Sequence, residues 1–204
     1  MSDFNTVASD AVIEQTQEAL ERNGFAVTVV ENGEAAKQAV LNLIPKGAEV
    51  FSATSKTADD IGLSKVIDES GDYDAVRPKL NAMYGDDSKA RERRKLGAAP
   101  DYAIGSVHAI TQDGHLLIAS NTGSQLPAYL YGAGQVIWVV GAQKITKDYA
   151  EAEERLEKYV TPLENERAKI AYGFPTSVNK LVHYYKEINP NRAHIVIVKQ
   201  ALGF

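Results

Sequence analysis

The run Gln135–Ala142, QVIWVVGA, constrains this chain most. It is apolar at consecutive positions and bounded by glycines. A strand read this way is covered on both faces, as in the middle of a parallel sheet. Two further short runs, the β-branched-rich Phe25–Val30 (FAVTVV) and the apolar His194–Val198 (HIVIV), read as strands, as does Glu49–Ala53 (EVFSA).

Helical spacing occupies the stretches between them. Thr6–Asn23 places Val12, Ile13, Thr16, Ala19 and Leu20 on one side, with Gly24 as a stop, and Glu34–Ile44 ends at Pro45 and Gly47. Thr57–Asp68 opens with a capping-box pattern, and Arg77–Leu96 is helical with a break near Gly85. Asp101–Ile110 and His115–Ser120 read as strands around the turn Gln112–Gly114, and Ser124–Tyr131 as a short helix. Asp148 with Glu151 caps a helix, Pro162 restarts one at Leu163, and Thr176–Ile188 spaces Val178, Leu181, Val182, Tyr185 and Ile188 helically. Strands alternating with helices imply βαβ units: an α/β fold with a mainly parallel sheet and helices on both faces. No linker or repeat interrupts the 204 residues, so the reading is one domain overall, with a helix and strand over residues 1–34 packed on residues 35–204.

Composition excludes several classes. With no cysteine, the chain cannot supply a disulfide, a cysteine nucleophile or an iron–sulfur cluster. The four histidines (108, 115, 183 and 194) show no metal-ligand spacing, so no metal is expected. A net charge of −5 argues against a nucleic-acid partner. No apolar run reaches the length of a membrane span, and the opening MSDFNTVASD is unlike a secretory signal; the cytoplasm is the expected compartment.

In open α/β sheets, ligands bind beyond the carboxyl ends of strands. Three polar segments sit there. Thr54, Ser55, Lys56 and Thr57 offer hydroxyls and a cation before a helix N-terminus, although Asp59 and Asp60 in its first turn oppose an anion. Asn121, Thr122, Gly123, Ser124 and Gln125 form a polar turn, and Lys144 follows the most apolar strand. Each segment has an ordinary alternative: a capped helix, a plain turn, a lysine at a sheet end. The basic run Lys89–Lys95 reads as a solvated helix face, with Arg91 or Arg94 reaching a phosphate as its alternative.

Taken together, Phe51–Leu63, Arg94, Pro100–Ile110, Asp113–Gln125 and Val136–Ile145 resemble the lactate-utilisation (LUD) domain family, from about Ala35 to Leu202, with Thr161–Ala168 also similar. The resemblance implies a three-layer α/β/α sandwich similar to sugar-phosphate isomerases and coenzyme A transferases. Thr54, Ser55 and Thr57 match the family's hydroxyl loop, Gly62 and Leu63 its helix end, and Gly141, Lys144 and Ile145 its lysine segment. The chain departs from the pattern at Ala53 (often glycine), His108 (asparagine), Ser124 and Gln125 (asparagine and arginine) and Gln143 (asparagine).

The resemblance links such chains to L-lactate oxidation in multi-protein complexes. It implies a small anionic metabolite or nucleotide-like ligand, with any iron–sulfur centre on a cysteine-rich partner. Which cofactor is used stays open. Two alternatives remain. One is an enzyme acting on a coenzyme A ester, with Asp113 as the available carboxylate, or on a sugar phosphate, with Asp59 or Asp60 as base; the other is a non-catalytic subunit of a redox complex.

Overall fold

Short polar side chains set where four of the helices begin in this chain. The computed structural model describes residues 4–204; Met1–Asp3, part of the opening segment read above, lie outside the described residues. In chain order come α1 (Asp10–Arg22), β1 (Ala26–Val30), α2 (Gly33–Leu43), β2 (Glu49–Ser52), α3 (Lys56–Asp60), α4 (Leu63–Glu69), β3 (Asp74–Ala75), α5 (Val76–Ala82) and α6 (Ala90–Leu96). Then follow β4 (Tyr102–Gly105), β5 (Ala109–Thr111), β6 (Leu116–Ser120), β7 (Gln135–Gly141), β8 (Ile145–Thr146), α7 (Tyr149–Arg155), α8 (Thr161–Tyr172), β9 (Lys180–Tyr184) and β10 (Ala193–Val198). Side-chain oxygens of Ser9, Asn32, Ser55 and Asp148 accept the orphan amides of Val12, Ala35, Ala58 and Glu151, opening α1, α2, α3 and α7.

Six parallel strands form the central sheet, in the order β1-β10-β7-β4-β2-β3. The apolar run is β7, buried from Val136 to Gly141 between β10 and β4. Its side chains divide by alternation. Ile137 and Val139 face Ala36, Val40 and Leu63 of α2 and α4, while Val136, Trp138 and Val140 face the cluster holding Ile13, Leu20, Val76 and Tyr129. Each fully buried aliphatic side chain contributes about 1.5–3 kcal/mol relative to exposure. The chain thus has an α/β architecture with a mainly parallel central sheet and helices on both faces.

Four departures from the sequence reading have physical causes. First, a second sheet, β8-β5-β6-β9, lies on the Trp138 face and is backed in turn by Ala152, Leu156 and Val160. The apparent single strand Asp101–Ile110 feeds both sheets: β4 ends at Gly105, and β5 begins at Ala109. Second, the expected helix at Thr176–Ile188 is the strand β9, antiparallel to β6 from Leu116↔Tyr184 to Ser120↔Lys180. The free edge of β6 demands backbone partners, and that demand overrides the periodicity. Third, the cap before Gly62 is Ser55 rather than Thr57; Gly62, at φ +68°, divides the expected helix into α3 and α4. Fourth, Pro162 restarts nothing. A π turn, Leu156–Val160, joins α7 to α8, and the Thr161 hydroxyl donates to Leu156 O at 2.7 Å.

Candidate functional site

Strands β2, β4 and β7 are neighbours, so the segments leaving their carboxyl ends emerge side by side. Those segments carry Thr54–Thr57, Ser106–His108 and Ala142–Lys144; the turn after β6 adds Asn121–Gln125. Together with α5 and α8 they enclose a cleft of about 880 Å³. Of the residues singled out from sequence, Thr54, Ser55, Lys56, Thr57, Asn121, Thr122, Ser124, Gln125 and Lys144 all line it. Gly123 is not among the lining residues. Its φ of +83° and the close approach of Lys180 Cδ, 2.7 Å from where a β-carbon would stand, give it a turn role instead.

Lys144 sits at the base of this cleft, 2 % exposed. Its Nζ donates to Thr57 Oγ1 at 2.9 Å, Ser106 Oγ at 3.1 Å and Val107 O at 3.3 Å. Burial, reinforced by the positive charge of Arg155, holds the amine down to about 7. His108 beside it is neutral: burial, with Lys144 and Arg155 near, lowers the ring to about 3. Its Nδ1 accepts the Ala119 amide at 3.0 Å, which places the ring proton on Nε2.

Two arginines complete the cationic floor, and neither stood out in the sequence. Arg77 lines the cleft, gives Nε and NH2 to Ser52 O at 2.9 and 2.6 Å, and lies 5.0 Å from the centroid of the Phe51 ring. Arg155, fully buried behind the cleft, gives NH1 to His108 O at 2.6 Å; its Nε and NH2 have no partner among the described residues. Burial lowers both guanidinium groups, Arg155 to about 10. Thus Arg77, Lys144 and Arg155 hydrogen-bond only to neutral oxygens. The signal for Arg77 in the sequence was slight: a single charge at the start of a helix.

The hydroxyl loops are less free than their composition suggested. Ser55 caps α3, and Thr57 gives its own proton to Leu202 O at 3.3 Å. Gln125 turns inward, accepting from Ser120 Oγ at 3.0 Å and donating to Ala119 O at 3.4 Å. Lys56 pairs with Asp60. Thr54, Thr122 and Ser124 stay exposed on the walls.

Glu164 is the one acidic side chain lining the cleft among the described residues, and it pairs bidentately with Arg167 at 2.7 and 2.6 Å. Asp113 lies off the cleft, in the turn against Asn23 and beside His115, so it is not placed as a nucleophile there. Asp59 and Asp60 are exposed and do not line it either. Arg91 and Arg94 are exposed on α6, away from the cleft. Among the described residues, no group of three or more His, Cys, Asp or Glu side chains is placed to hold a metal, and no helix is long and apolar enough to cross a membrane.

No curated protein matches the chain. Among solved structures, a DUF162 family protein from Deinococcus radiodurans aligns over 95 % of this chain and 99 % of that one, at TM-score 0.55 and 14 % identity. A D-ribose-5-phosphate isomerase in complex with phospho-erythronic acid aligns over 82 % of this chain and 93 % of that one, at TM-score 0.44 and 13 % identity. The first of these likenesses, at 14 % identity, speaks to the fold alone. The family model of the LUD domain matches residues 13–198, starting inside α1 rather than near Ala35 and taking in both sheets and the segment around Lys144. By that match the chain belongs to the LUD domain family.

Proposed function

We propose that this LUD-domain chain binds a small anionic metabolite or nucleotide-like cofactor in the cleft above Lys144. One observation carries the reading: Lys144 and Arg77 stand in the cleft wall with neutral oxygens as their only hydrogen-bond partners. Carboxylates reach these cations only from a distance, Asp68 and Asp59 towards Arg77 and Asp60 towards Lys144, and a buried cation without a directly paired counter-charge costs several kcal/mol. Such a cost is retained where a ligand supplies the missing charge. The excess is local, because the chain as a whole carries −5. Within organic-acid oxidation, L-lactate included, a chain without cysteine would act as the ligand-binding subunit, with electrons carried by a cysteine-rich partner.

Titration calorimetry with inorganic phosphate and with L-lactate, at low salt, tests the reading. Binding of at least one of them is expected, with at least a tenfold loss in Lys144→Met and in Arg77→Gln. Affinity that survives both substitutions would overturn it.

A further inference from the structure

The cleft is chemically two-sided. Its sheltered lining carries the polar or cationic Arg77, Ser106, His108 and Lys144 beside the buried apolar Leu156 and Val160. The outer end is apolar, built by Tyr172, Phe174 and Val178, which are 53 %, 61 % and 41 % exposed. Exposed apolar side chains gathered on the rim of a polar cleft mark a contact surface. Tyr172 and Phe174 are close neighbours, with ring centroids 6.1 Å apart and planes 31° from parallel. Arg167 lies 5.4 Å from the centroid of the Tyr172 ring and is held there by Glu164. That arrangement fixes an aromatic platform at the mouth. Asn121 and Thr122 also line the cleft, with the Asn121 amide donating to Ser177 Oγ at 3.1 Å and Thr122 exposed.

Size decides between the ligand classes. A cleft of about 880 Å³ is near the top of the range of roughly 300–1,000 Å³ that encloses drug-sized molecules. A three-carbon acid would occupy its inner corner and leave the aromatic rim unused. We infer that the cleft takes a nucleoside phosphate, with its phosphate at Arg77 and Lys144 and its base on the Tyr172–Phe174 platform. The inference rests on the anion-binding reading and extends it to a ligand class. Aromatic side chains stack on every base, so the platform gives affinity without choosing a particular one.

Calorimetry with AMP, ribose 5-phosphate, inorganic phosphate and octyl phosphate tests it on the intact chain. AMP should bind roughly 5- to 150-fold more tightly than ribose 5-phosphate, the ratio that one stacked base supplies. In Tyr172→Ala/Phe174→Ala that ratio should collapse towards one, while phosphate affinity stays unchanged. Both residues are more than half exposed, so the variant should fold. AMP binding no tighter than ribose 5-phosphate, or octyl phosphate matching AMP, would overturn the nucleotide assignment and leave anion binding standing. Failure of all four probes would overturn the nucleotide assignment, and failure of L-lactate as well would remove the anion-binding reading with it.

Discussion

Thr57 Oγ1 accepts a hydrogen bond from Lys144 Nζ at 2.9 Å while donating its own proton to Leu202 O at 3.3 Å. Ser106 repeats the arrangement, accepting from Nζ at 3.1 Å and donating to Val107 O at 3.3 Å. Both hydroxyls are therefore oriented by backbone carbonyls to present lone pairs to the amine. The site is wired to hold an ammonium, yet its burial disfavours the charge. Lys144 stands between these opposing effects, near neutrality.

This balance sets a pH dependence of stability. In the unfolded chain Lys144 titrates at about 10.4; in the fold it titrates at about 7. Between those values the unfolded state binds the extra proton, so stability rises with pH there. Referred to Lys144→Met, which cannot titrate, the wild type should gain up to about 1.4 kcal/mol per pH unit from pH 7 towards pH 10. Urea unfolding of both proteins at pH 7, 8 and 9 measures the difference. A difference that is flat across this range would show that the amine keeps its ordinary value.

Close packing beside the site gives a second prediction. A β-carbon on Gly105 would stand 1.8 Å from Tyr129 Oη and 3.3 Å from the β-carbon of Ala53. Tyr129 is wedged edge-on against Trp138, centroids 5.4 Å apart, and has no room to retreat. Gly105→Ala should therefore cost about 2 kcal/mol or more, as overpacking does. Tyr129→Phe in the same background should return part of that loss, because it deletes the nearest atom. Additive costs in the double-variant cycle would contradict this account.

How much of this was legible beforehand depends on where each signal is stored. The central strand was plain, because a segment buried on both faces must be apolar throughout, as Val136–Val140 is. Lys144 stood out for a related reason: a charge directly after such a strand lies at the sheet's carboxyl edge. By contrast, β9 was concealed. Leu181, Val182 and Tyr185 fit a helix as well as an edge strand, and only the open edge of β6, remote in sequence, decides between them. Arg77 and Arg155 were illegible for the same kind of reason. Their significance is that no carboxylate hydrogen-bonds either guanidinium, which is a property of space and not of spacing.

Beyond the cleft, Arg192 and Glu187 anchor the loop before β10. Arg192 NH1 meets Glu187 Oε2 at 2.8 Å with both side chains under 10 % exposed, and NH2 reaches Ala128 O and Tyr129 O at 3.1 and 3.0 Å. Burial pushes the Glu187 carboxyl up, but hydrogen bonds from Tyr184, the Asn189 amide and Arg192 outweigh it and hold the group below its ordinary value. Removing one member leaves a buried charge alone, so Arg192→Leu should lose about 3–5 kcal/mol in urea unfolding at pH 7. A depressed carboxyl contributes stability above its ordinary value, and that contribution fades as pH falls through the lowered one. The deficit of the variant should therefore shrink under acid conditions; a deficit that grew as pH fell would refute the pairing.

Ligand binding should itself move a proton. Lys144 at about 7 is roughly half protonated at neutral pH. An anion arriving in the cleft favours the ammonium and raises its pKa. With sulfate as the probe, an anion that has no proton of its own to exchange in this range, the chain should take up roughly half a proton per ion bound at pH 7, more at pH 8, and almost none at pH 5.5, where the amine is already charged. Calorimetry in buffers of different ionisation enthalpy reads this uptake as the slope of observed enthalpy against buffer enthalpy. The slope should vanish in Lys144→Met whatever affinity remains. Of the other titratable groups that act on or beside the amine, His108 stays neutral across this range and Arg155 stays charged, and the uptake should persist in Asp60→Asn. Uptake that persisted in Lys144→Met, or that peaked at pH 5.5, would assign the proton to another group and leave Lys144 a purely structural cation.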